Sequence, residues 1–376
     1  MSRSRDDAFF MSRALDLAER GRGETNPNPM VGCVIVKDGR VVAEAWHHRA
    51  GAPHAEVLAL DRAGPKARGA TLYVNLEPCA HAGRTPPCAP RLVAAGLRRV
   101  VAAVRDPNPA VDGRGLAQIR RAGIAVTTGV MESDARLLNE PFLQAAGRRR
   151  PFVLLKAALT LDGRIATSRG DSKWITSPAQ RREARRLRRG FDAVAVGIGT
   201  VLADDPLLLP VPAVRRPFHR IVFDSRLRLP PGSRLARSAR RSPVWAICGD
   251  ADPRRRRRLE ARGVTVVRAP RAGRAASLRW ALEEMRRRGV WSLMVEGGSE
   301  LLGSFLSARL LDQVALFRAP LLLGGRASRP AFGGPDPSRV SQALRLTRRS
   351  PLLGRDQDGD AADVHGDASF ELWYPR

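Results

Sequence analysis

The chain has 376 residues, enough for two or three domains of ordinary size, and with 43% hydrophobic residues it can bury substantial cores. The formal net charge of +28 suggests a nucleic-acid partner, but the excess is almost all arginine scattered over the whole length, so we expect no nucleic acid. Four cysteines, no apolar run long enough to cross a membrane and no signal-peptide core at the start argue against a membrane protein or a disulfide scaffold, and they predict a cytoplasmic protein.

The first part of the chain alternates between helical and strand patterns, which indicates a layered α/β unit. An amphipathic pattern over 8–20 ends at Gly21 and predicts the first helix. Asp38-Gly39 is a tight-turn signal between two apolar runs and predicts a β-hairpin. The other predicted elements are strands at 31–36, 41–46, 71–76 and 99–104 and helices at 55–63, 89–95 and 116–122.

The charged run 148–150 is followed by Pro151, a residue that cannot continue a helix, and it predicts a domain junction. The first domain is then 1–147 and the second 151–376. The second domain alternates again, with predicted helices at 178–189 and 277–288 and predicted strands at 152–157, 193–196, 220–223, 244–248, 264–267, 291–295 and 313–317. After an acidic loop at 356–367, residues 369–374 are predicted to form a final edge strand.

A set of metal-ligating residue types lies between positions 54 and 88. His54 and Glu56 open a helical stretch, and Cys79 and Cys88 follow the strand at 71–76. One imidazole and two thiolates leave the fourth position of a tetrahedral zinc ion open for water, whose pKa zinc lowers to about 7. Glu56 has the chemistry to carry a proton from that water to a departing amine. His-x-Glu followed by Pro-Cys is the pattern of zinc-dependent base and nucleoside deaminases, so we predict a deaminase.

The spacing of the two cysteines differs from the usual Pro-Cys-x-x-Cys, because position 82 is alanine and Cys88 comes nine residues after Cys79. His81 lies inside this insertion and is an alternative ligand, although a loop residue that faces substrate or solvent is the favoured interpretation. Cys88 precedes a predicted helix, whose free N–H groups favour a thiolate there.

The run 75–88, NLEPCAHAGRTPPC, closely resembles the bifunctional riboflavin-biosynthesis deaminase/reductase family, as do TNPNPMVGCV at 25–34 and RDPNP at 105–109. The resemblance implies an α/β protein with an N-terminal cytidine-deaminase-like three-layer α/β/α domain and a dihydrofolate-reductase-like α/β domain after it. It also implies that His54, Cys79 and Cys88 bind Zn2+ and that Glu56 is the proton shuttle. Asn26 and Asn28 resemble substrate-binding residues of the family, with loop capping as the alternative for either.

The second half has a strand that runs into two glycines and then a helix at 295–302, where free N–H groups can hold phosphate. Gly197-Ile-Gly199 is a poor match to the dinucleotide-binding fingerprint. The segments 155–164, 172–177 and 199–206 resemble the reductase domain of the same family, which uses NADPH. The resemblance places the cofactor against Ala158, Trp174, Thr200, Asp204, Ser225, Gly297 and Gly298. It places the substrate against Ser172, Arg188, Leu208 and Glu296, and against Lys156, for which a salt-bridged strand residue is an equal alternative.

One segment, the loop 207–216, departs from the family pattern. Val211 stands where the family has an arginine that helps to hold the substrate phosphate, and Arg215 or Arg216 is a candidate replacement. The arginine run 254–258 is predicted to be a solvated helix face.

The resemblance implies two consecutive steps toward riboflavin. The first is the zinc-dependent hydrolytic deamination of 2,5-diamino-6-ribosylamino-4(3H)-pyrimidinone 5′-phosphate, and the second is the NADPH-dependent reduction of the ribosyl side chain to ribityl. We therefore expect a phosphorylated pyrimidine as small-molecule partner and no membrane, while a homo-oligomer stays open. One alternative is a nucleic-acid-editing deaminase, which the charge favours but the cysteine loop and the reductase motifs oppose. The other is a non-enzymatic protein that keeps zinc for structure and has lost the reductase pocket at 207–216.

Overall fold

The computed structural model describes residues 2–83, 85–249, 251–270, 273–349 and 369–376. The chain divides into two compact units, Met1–Arg148 and Arg149–Arg376. The division falls within the arginine run that precedes Pro151. Among the helices of the described residues, none combines the length and the apolar character needed to cross a membrane.

The N-terminal unit is a five-stranded mixed sheet with helices on both faces. Its elements are α1 (Ser2–Glu19), β1 (Gly32–Lys37), β2 (Arg40–Trp46), α2 (Ala55–Ala63), β3 (Thr71–Leu76), α3 (Cys88–Ala94), β4 (Arg99–Val104), α4 (Arg114–Arg121), β5 (Ala125–Thr128), α5 (Glu132–Leu138) and α6 (Glu140–Ala145). The strand order is β2-β1-β3-β4-β5, with β1 antiparallel to β2 and β3, and with β3, β4 and β5 parallel. The predicted hairpin is present: Asp38 and Gly39 both adopt positive φ between β1 and β2.

The three layers follow from the alternation of side chains along each strand. Cys33 and Ile35 of β1 pack with α2, α3 and α4, whereas Val34 and Val36 pack with α1 and α5 on the other face. A strand that is buried on both faces has to be apolar, as β1 is from Gly32 to Val36. The parallel strands β3 and β4 bring their carboxyl ends to the edge of the sheet where the metal-ligating residues lie.

The C-terminal unit contains a larger sheet of nine strands. Its elements are β6 (Phe152–Thr160), β7 (Arg164–Ala166), α7 (Pro178–Leu187), β8 (Ala193–Gly197), α8 (Ile198–Asp204), β9 (His219–Phe223), α9 (Arg234–Arg237), β10 (Val244–Cys248), α10 (Pro253–Glu260), β11 (Thr265–Arg268), α11 (Arg274–Arg287), β12 (Ser292–Glu296), α12 (Ser299–Ser307), β13 (Gln313–Ala319), β14 (Arg329–Pro330), β15 (Leu346–Arg349) and β16 (Ser369–Pro375). The order β11-β10-β9-β8-β12-β6-β13 is parallel throughout, and β16 and then β15 follow antiparallel.

The predicted mixed α/β class is confirmed, and one strand prediction is wrong. We predicted that 369–374 is the edge strand, but β16 lies between β13 and β15, and β15 forms the edge. The sequence of β15, Leu-Thr-Arg-Arg, has a single apolar residue, so the pattern gave no sign of a strand. The predicted acidic loop at 356–367 lies outside the described residues.

The parallel arrangement brings the predicted cofactor-binding residues to one edge of the sheet. Since β6, β8, β9 and β12 run in one direction, their carboxyl ends meet at one edge of the sheet. Ligands of open α/β sheets bind at this edge. The segments that follow β8, β9 and β12 carry Thr200, Ser225 and Gly297.

Candidate active site

Three metal-ligating side chains converge at the amino ends of two helices in the N-terminal unit. His54 is the residue before α2, Cys88 is the first residue of α3, and Cys79 follows β3. Their ligand atoms all lie within 4.8 Å of one another, with His54 Nδ1 3.2 Å from Cys88 Sγ and 3.5 Å from Cys79 Sγ. An imidazole nitrogen and two sulfurs in this arrangement fit zinc with one coordination position left for water.

The two cysteine thiols share a proton, and a metal ion can replace that proton. The Cys88 thiol donates to Cys79, which lowers the pKa of Cys79 to about 4 and raises that of Cys88. A cation between the two sulfurs favours the thiolate form of both, which is the form that binds zinc. His54 Nε2 lies 3.2 Å from Thr85 Oγ1, a contact that orients the ring. His81 is exposed and stands outside this group.

Glu56 lies in the first turn of α2, two residues after His54. Its side chain is buried, with 3% of the residue exposed, and Oε2 has no hydrogen-bond partner among the described residues. Burial raises the pKa of the Glu56 carboxyl. An unsatisfied buried carboxylate oxygen is costly. A role in catalysis explains why Glu56 Oε2 is left without a partner, because beside a catalytic metal this oxygen is available to accept and return a proton.

Glu77 holds the loop that borders the metal centre, and the sequence motifs did not single it out. Its carboxylate accepts the backbone N–H groups of Asp106, Gly113, Gly115 and Leu116 at 3.0–3.2 Å. The residue is buried two positions before Cys79. Glu77 therefore ties the start of α4 to the segment that carries the first cysteine. A glutamate directly before Pro-Cys was the available signal.

Asn28 and His47 form a second polar contact near the metal ligands. Asn28 Nδ2 lies 3.1 Å from His47 Nε2, and His47 Nδ1 lies 3.1 Å from the Pro53 carbonyl oxygen. Burial lowers the pKa of His47 to about 4, so the ring is neutral at neutral pH. The ring meets His54 edge-on with centroids 5.4 Å apart. Sequence reasoning named Asn28 but missed His47, whose only signal was its place at the end of β2. Asn26 is half-buried in the same loop.

In the C-terminal unit, the turn after β12 meets the first turn of α8. Gly297 adopts φ of +99°, and a Cβ there would lie 2.6 Å from Thr200 Oγ1. The Gly298 N–H lies 3.3 Å from the same hydroxyl oxygen. The predicted phosphate-binding turn and Thr200 are thus in contact, and the glycine is required by both its backbone conformation and its neighbour.

A charged group lies buried at the same sheet edge. Arg188 donates two hydrogen bonds to Glu296, at 2.6 and 2.9 Å, and a third to the Leu209 carbonyl oxygen at 3.0 Å. Lys156 lies opposite Glu296 in the β6–β12 register, and burial lowers its pKa. Leu208 is buried beside this group with φ of +57°. Four predicted substrate residues therefore lie together.

The remaining predicted reductase residues lie at or near this edge. Trp174 is 68% exposed and has Arg181 stacked over its ring at 4.2 Å. The neighbouring residue, Lys173, pairs with Asp204 at 2.9 Å, which brings Asp204 near Trp174. Three more positions were predicted: Ala158 is half-buried in β6, Ser172 is half-buried before α7, and Ser225 is exposed after β9.

The loop 207–216 holds one of its two candidate phosphate-binding arginines inside the fold. Val211 is 47% exposed. Arg216 donates to the carbonyl oxygens of Arg189 and Phe191 at 2.9 and 2.7 Å, and its side chain is only 8% exposed. Arg216 is therefore held within the fold, whereas Arg215 is exposed. The side chains of the run 254–258 are all exposed, as predicted.

Two family models match the chain. The RibD C-terminal domain matches residues 151–351, and the cytidine and deoxycytidylate deaminase zinc-binding region matches residues 4–104. The riboflavin biosynthesis protein RibD of Aquifex aeolicus is 42% identical over 353 residues, covering 93% of this chain and 96% of that protein. RibD of Escherichia coli is 44% identical over 335 residues, covering 85% and 89%.

Solved structures agree over the full length. Acinetobacter baumannii RibD, form 1, is 37% identical with a TM-score of 0.85, covering 99% of both chains. A diaminohydroxyphosphoribosylaminopyrimidine deaminase/5-amino-6-(5-phosphoribosylamino)uracil reductase of Thermotoga maritima is 34% identical with a TM-score of 0.83, covering 100% of both.

The fold and the donor set define a zinc-dependent deaminase joined to an α/β reductase. With relatives this similar over nearly its whole length, the chain belongs to the family of the riboflavin biosynthesis protein RibD. It is a bifunctional enzyme of riboflavin biosynthesis, with zinc as the metal of the deaminase and NADPH as the reductant of the reductase. The predictions of family, of both activities and of both cofactors are confirmed. Neither alternative, an editing deaminase or a non-enzymatic protein, agrees with a bifunctional enzyme of this family.

Proposed function

We propose that the N-terminal unit deaminates 2,5-diamino-6-ribosylamino-4(3H)-pyrimidinone 5′-phosphate and that the C-terminal unit then reduces the ribosyl side chain of the product to ribityl. The observation that carries the proposal is the donor set of His54, Cys79 and Cys88 within 4.8 Å, beside the buried and unpartnered Oε2 of Glu56. The name of the Thermotoga maritima relative includes both activities on phosphoribosyl pyrimidines.

In the proposed deaminase, His54, Cys79 and Cys88 would hold the zinc, which would supply the Lewis acidity that activates water at neutral pH. Glu56 removes a proton from that water and delivers it to the amino nitrogen at C2 of the pyrimidine, so that ammonia leaves and a carbonyl remains. Neutral His47, held by the Pro53 carbonyl oxygen, in turn orients the side-chain amide of Asn28 for contact with the substrate. Asn26 is the second substrate-binding asparagine of the proposal.

In the proposed reductase, the Gly297-Gly298 turn and Thr200 receive the phosphates of NADPH, and Trp174, Asp204, Ser225 and Ala158 border the rest of the cofactor. Arg188 and Glu296 fix each other, and with Ser172 and Leu208 they form the substrate side. Lys156, half-buried and opposite Glu296 in the register of β6 and β12, approaches the ribose. Bound NADPH would supply the hydride that reduces C1′ of the opened sugar, and the residues named above would orient the cofactor and the substrate and exclude water.

The proposal also concerns the cellular compartment in which the enzyme acts. The cysteine ligands are free thiols, as expected in a reducing compartment, and we propose that the protein acts in the cytoplasm. A homo-oligomer stays a prediction.

The test follows two signals in one sample. Zinc-loaded protein is given the diaminopyrimidine substrate with and without NADPH, and ammonia release and NADPH oxidation are recorded together. We expect ammonia release without NADPH and substrate-dependent oxidation when NADPH is added. Glu56→Gln should abolish ammonia release with zinc retained, while Glu44→Gln, a surface change of the same kind, should leave it intact. Ammonia release at the wild-type rate from Glu56→Gln would refute the role of Glu56.

A further inference from the structure

A cleft in the N-terminal unit is left unexplained by the deaminase chemistry. It lies at the carboxyl ends of β4 and β5, between α4 and α5, and has a volume of about 480 Å³. None of the metal ligands lines it. Three arginines of α4, Arg114, Arg120 and Arg121, form one wall. We call it the arginine cleft.

The charges of the arginine cleft do not balance. It holds two further arginines, each already beside a carboxylate: Arg105 lies 3.0 Å from Asp112, and Arg136 lies 2.7 Å from Glu132. Asp112 and Glu132 are the carboxylates of the lining that the structure describes. The charges of the three arginines of α4 are therefore in excess, and the cleft favours an anion.

The helical spacing explains why these side chains line the same cleft. Arg114, Ala117 and Arg121 are separated by three and four residues, so they share one face of α4. Ala117 is small and leaves room between the two guanidinium groups, and Gly129 leaves room on the facing side. A guanidinium group binds phosphate through two parallel N–H donors, which gives it a geometric match as well as charge.

We propose that the arginine cleft binds the phosphate group of a small organic phosphate. Its volume suits a small molecule. The described lining contains no aromatic ring on which a base of single-stranded nucleic acid would stack, so a polymer is not the ligand that the cleft fits. The site does not depend on the proposed residue roles in the deaminase or the reductase.

The position of the cleft gives phosphate binding a consequence for the metal centre. Gly113, part of the lining, donates its backbone N–H to Glu77 at 3.0 Å, and Glu77 precedes the Pro78-Cys79 segment. Gly115 lies directly against the Pro78 carbonyl oxygen. A ligand that fixes the start of α4 therefore also fixes the segment that carries Cys79, and zinc should dissociate more slowly when the cleft is filled.

The test is a difference measurement on the zinc-loaded, full-length protein. Binding of inorganic phosphate and of ribose 5-phosphate is measured by titration calorimetry up to ~10 mM, since millimolar binding is the weak limit for a small anion. The reductase half binds phosphate compounds too, so the signal of interest is the one lost in Arg114→Glu/Arg121→Glu. We expect this variant to lose one binding event, or to bind at least about tenfold more weakly. Arg40→Glu, at the hairpin on the opposite edge of the same sheet, should bind as the wild type does.

Two results support the site and separate its ligands. If Arg114→Glu/Arg121→Glu raises KM for the phosphorylated diaminopyrimidine but not for the dephosphorylated compound, the cleft holds the phosphate of the substrate. If phosphate affinity falls and this KM is unchanged, the cleft holds a separate phosphate metabolite. Equal phosphate binding by the wild type and the double variant overturns the proposal, as does an equal loss in Arg40→Glu. If the double variant does not fold, Arg121→Gln is measured instead, because it removes one positive charge without adding a negative one; it should bind phosphate more weakly than the wild type does.

Discussion

Gly115 packs against the carbonyl oxygen of Pro78 so closely that a Cβ at position 115 would lie 1.8 Å from that oxygen. The Gly115 N–H also donates to Glu77 at 3.0 Å. Pro78 precedes the proposed ligand Cys79. The start of α4 and the first cysteine are thus fixed against each other by one glycine, one buried carboxylate and one carbonyl group.

The first prediction concerns this contact. Gly115→Ala forces the Pro78 segment to move, because the obstacle is backbone, and overpacking of this kind costs about 1–3 kcal/mol. We expect zinc affinity and deaminase turnover to fall at least about tenfold, as they do when the groups that orient metal ligands are disturbed. Zinc content after dialysis and ammonia release are the readouts, with NADPH oxidation on the deaminated pyrimidine as the control for the other unit. Gly232→Ala, where a Cβ meets nothing within 4 Å, should change neither. Full zinc retention by Gly115→Ala would show that the Gly115–Pro78 contact does not position Cys79.

The second prediction concerns cofactor binding. Gly297→Ala places a methyl group 2.6 Å from Thr200 Oγ1 in a backbone conformation that alanine rarely adopts. We expect KM for NADPH to rise at least about tenfold while ammonia release is unchanged. Gly199→Ala, with open space at its Cβ position, is the matched control. The prediction is wrong if NADPH binds to both variants equally well in a fluorescence titration.

The third prediction separates the substrate from the cofactor. Arg188 meets Glu296 through two hydrogen bonds, a geometry that lysine cannot reproduce. Arg188→Lys keeps the charge, so the unit should fold, but KM for the deaminated pyrimidine should rise at least about tenfold with KM for NADPH nearly constant. Arg186→Lys, two residues earlier in the chain and with a half-exposed side chain, should have no effect. An equal rise of both KM values would point to a loss of fold instead of a loss of substrate binding.

The fourth prediction is a pH dependence at Asp106. Burial is the main cause that raises the pKa of this carboxyl to about 6 from 3.8. Because the folded-state pKa is the higher one, the stability contributed by protonated Asp106 is full below about pH 3.8 and is lost as the pH rises through about 6. Asp106→Asn does not ionise and retains an acceptor for the Asn108 N–H, so it should become more stable than the wild type as the pH rises, by on the order of 2 kcal/mol.

Calorimetric unfolding of the N-terminal unit near pH 4 and near pH 7 measures this difference. Asp61→Asn removes an exposed carboxylate paired with Arg91 and serves as the control. Parallel pH profiles for Asp106→Asn and the wild type would show that the Asp106 carboxyl ionises without cost in the folded protein.

The sequence predicted the elements that carry strong apolar periodicity. The bounds 55–63, 71–76 and 99–104 agree with α2, β3 and β4, because each is bounded by a turn residue or a charged residue. The short strand β5 (Ala125–Thr128) was missed, since a half-exposed edge strand needs little apolar character. The helices α5 and α8 were missed as well, because each has only seven residues, about two helical turns, which is too short to show a clear apolar period.

The candidate site was predictable where side-chain chemistry is distinctive. A histidine, two cysteines and a glutamate in fixed order indicate one chemistry. Glu77 and His47 were not predicted, because their roles depend on backbone groups and ring contacts that only the fold brings together. The same holds for the pairing of Arg188 with Glu296, which are 108 positions apart.

Deamination at Glu56 should precede reduction in the other unit, and the deaminated product allows the second step to be measured without the first. Zinc-loaded Glu56→Gln is supplied with NADPH and either the diaminopyrimidine or its deaminated product. We expect no ammonia and no NADPH oxidation with the diaminopyrimidine, and NADPH oxidation at the wild-type rate with its deaminated product. Oxidation at the wild-type rate with the diaminopyrimidine itself would contradict the order of the two steps.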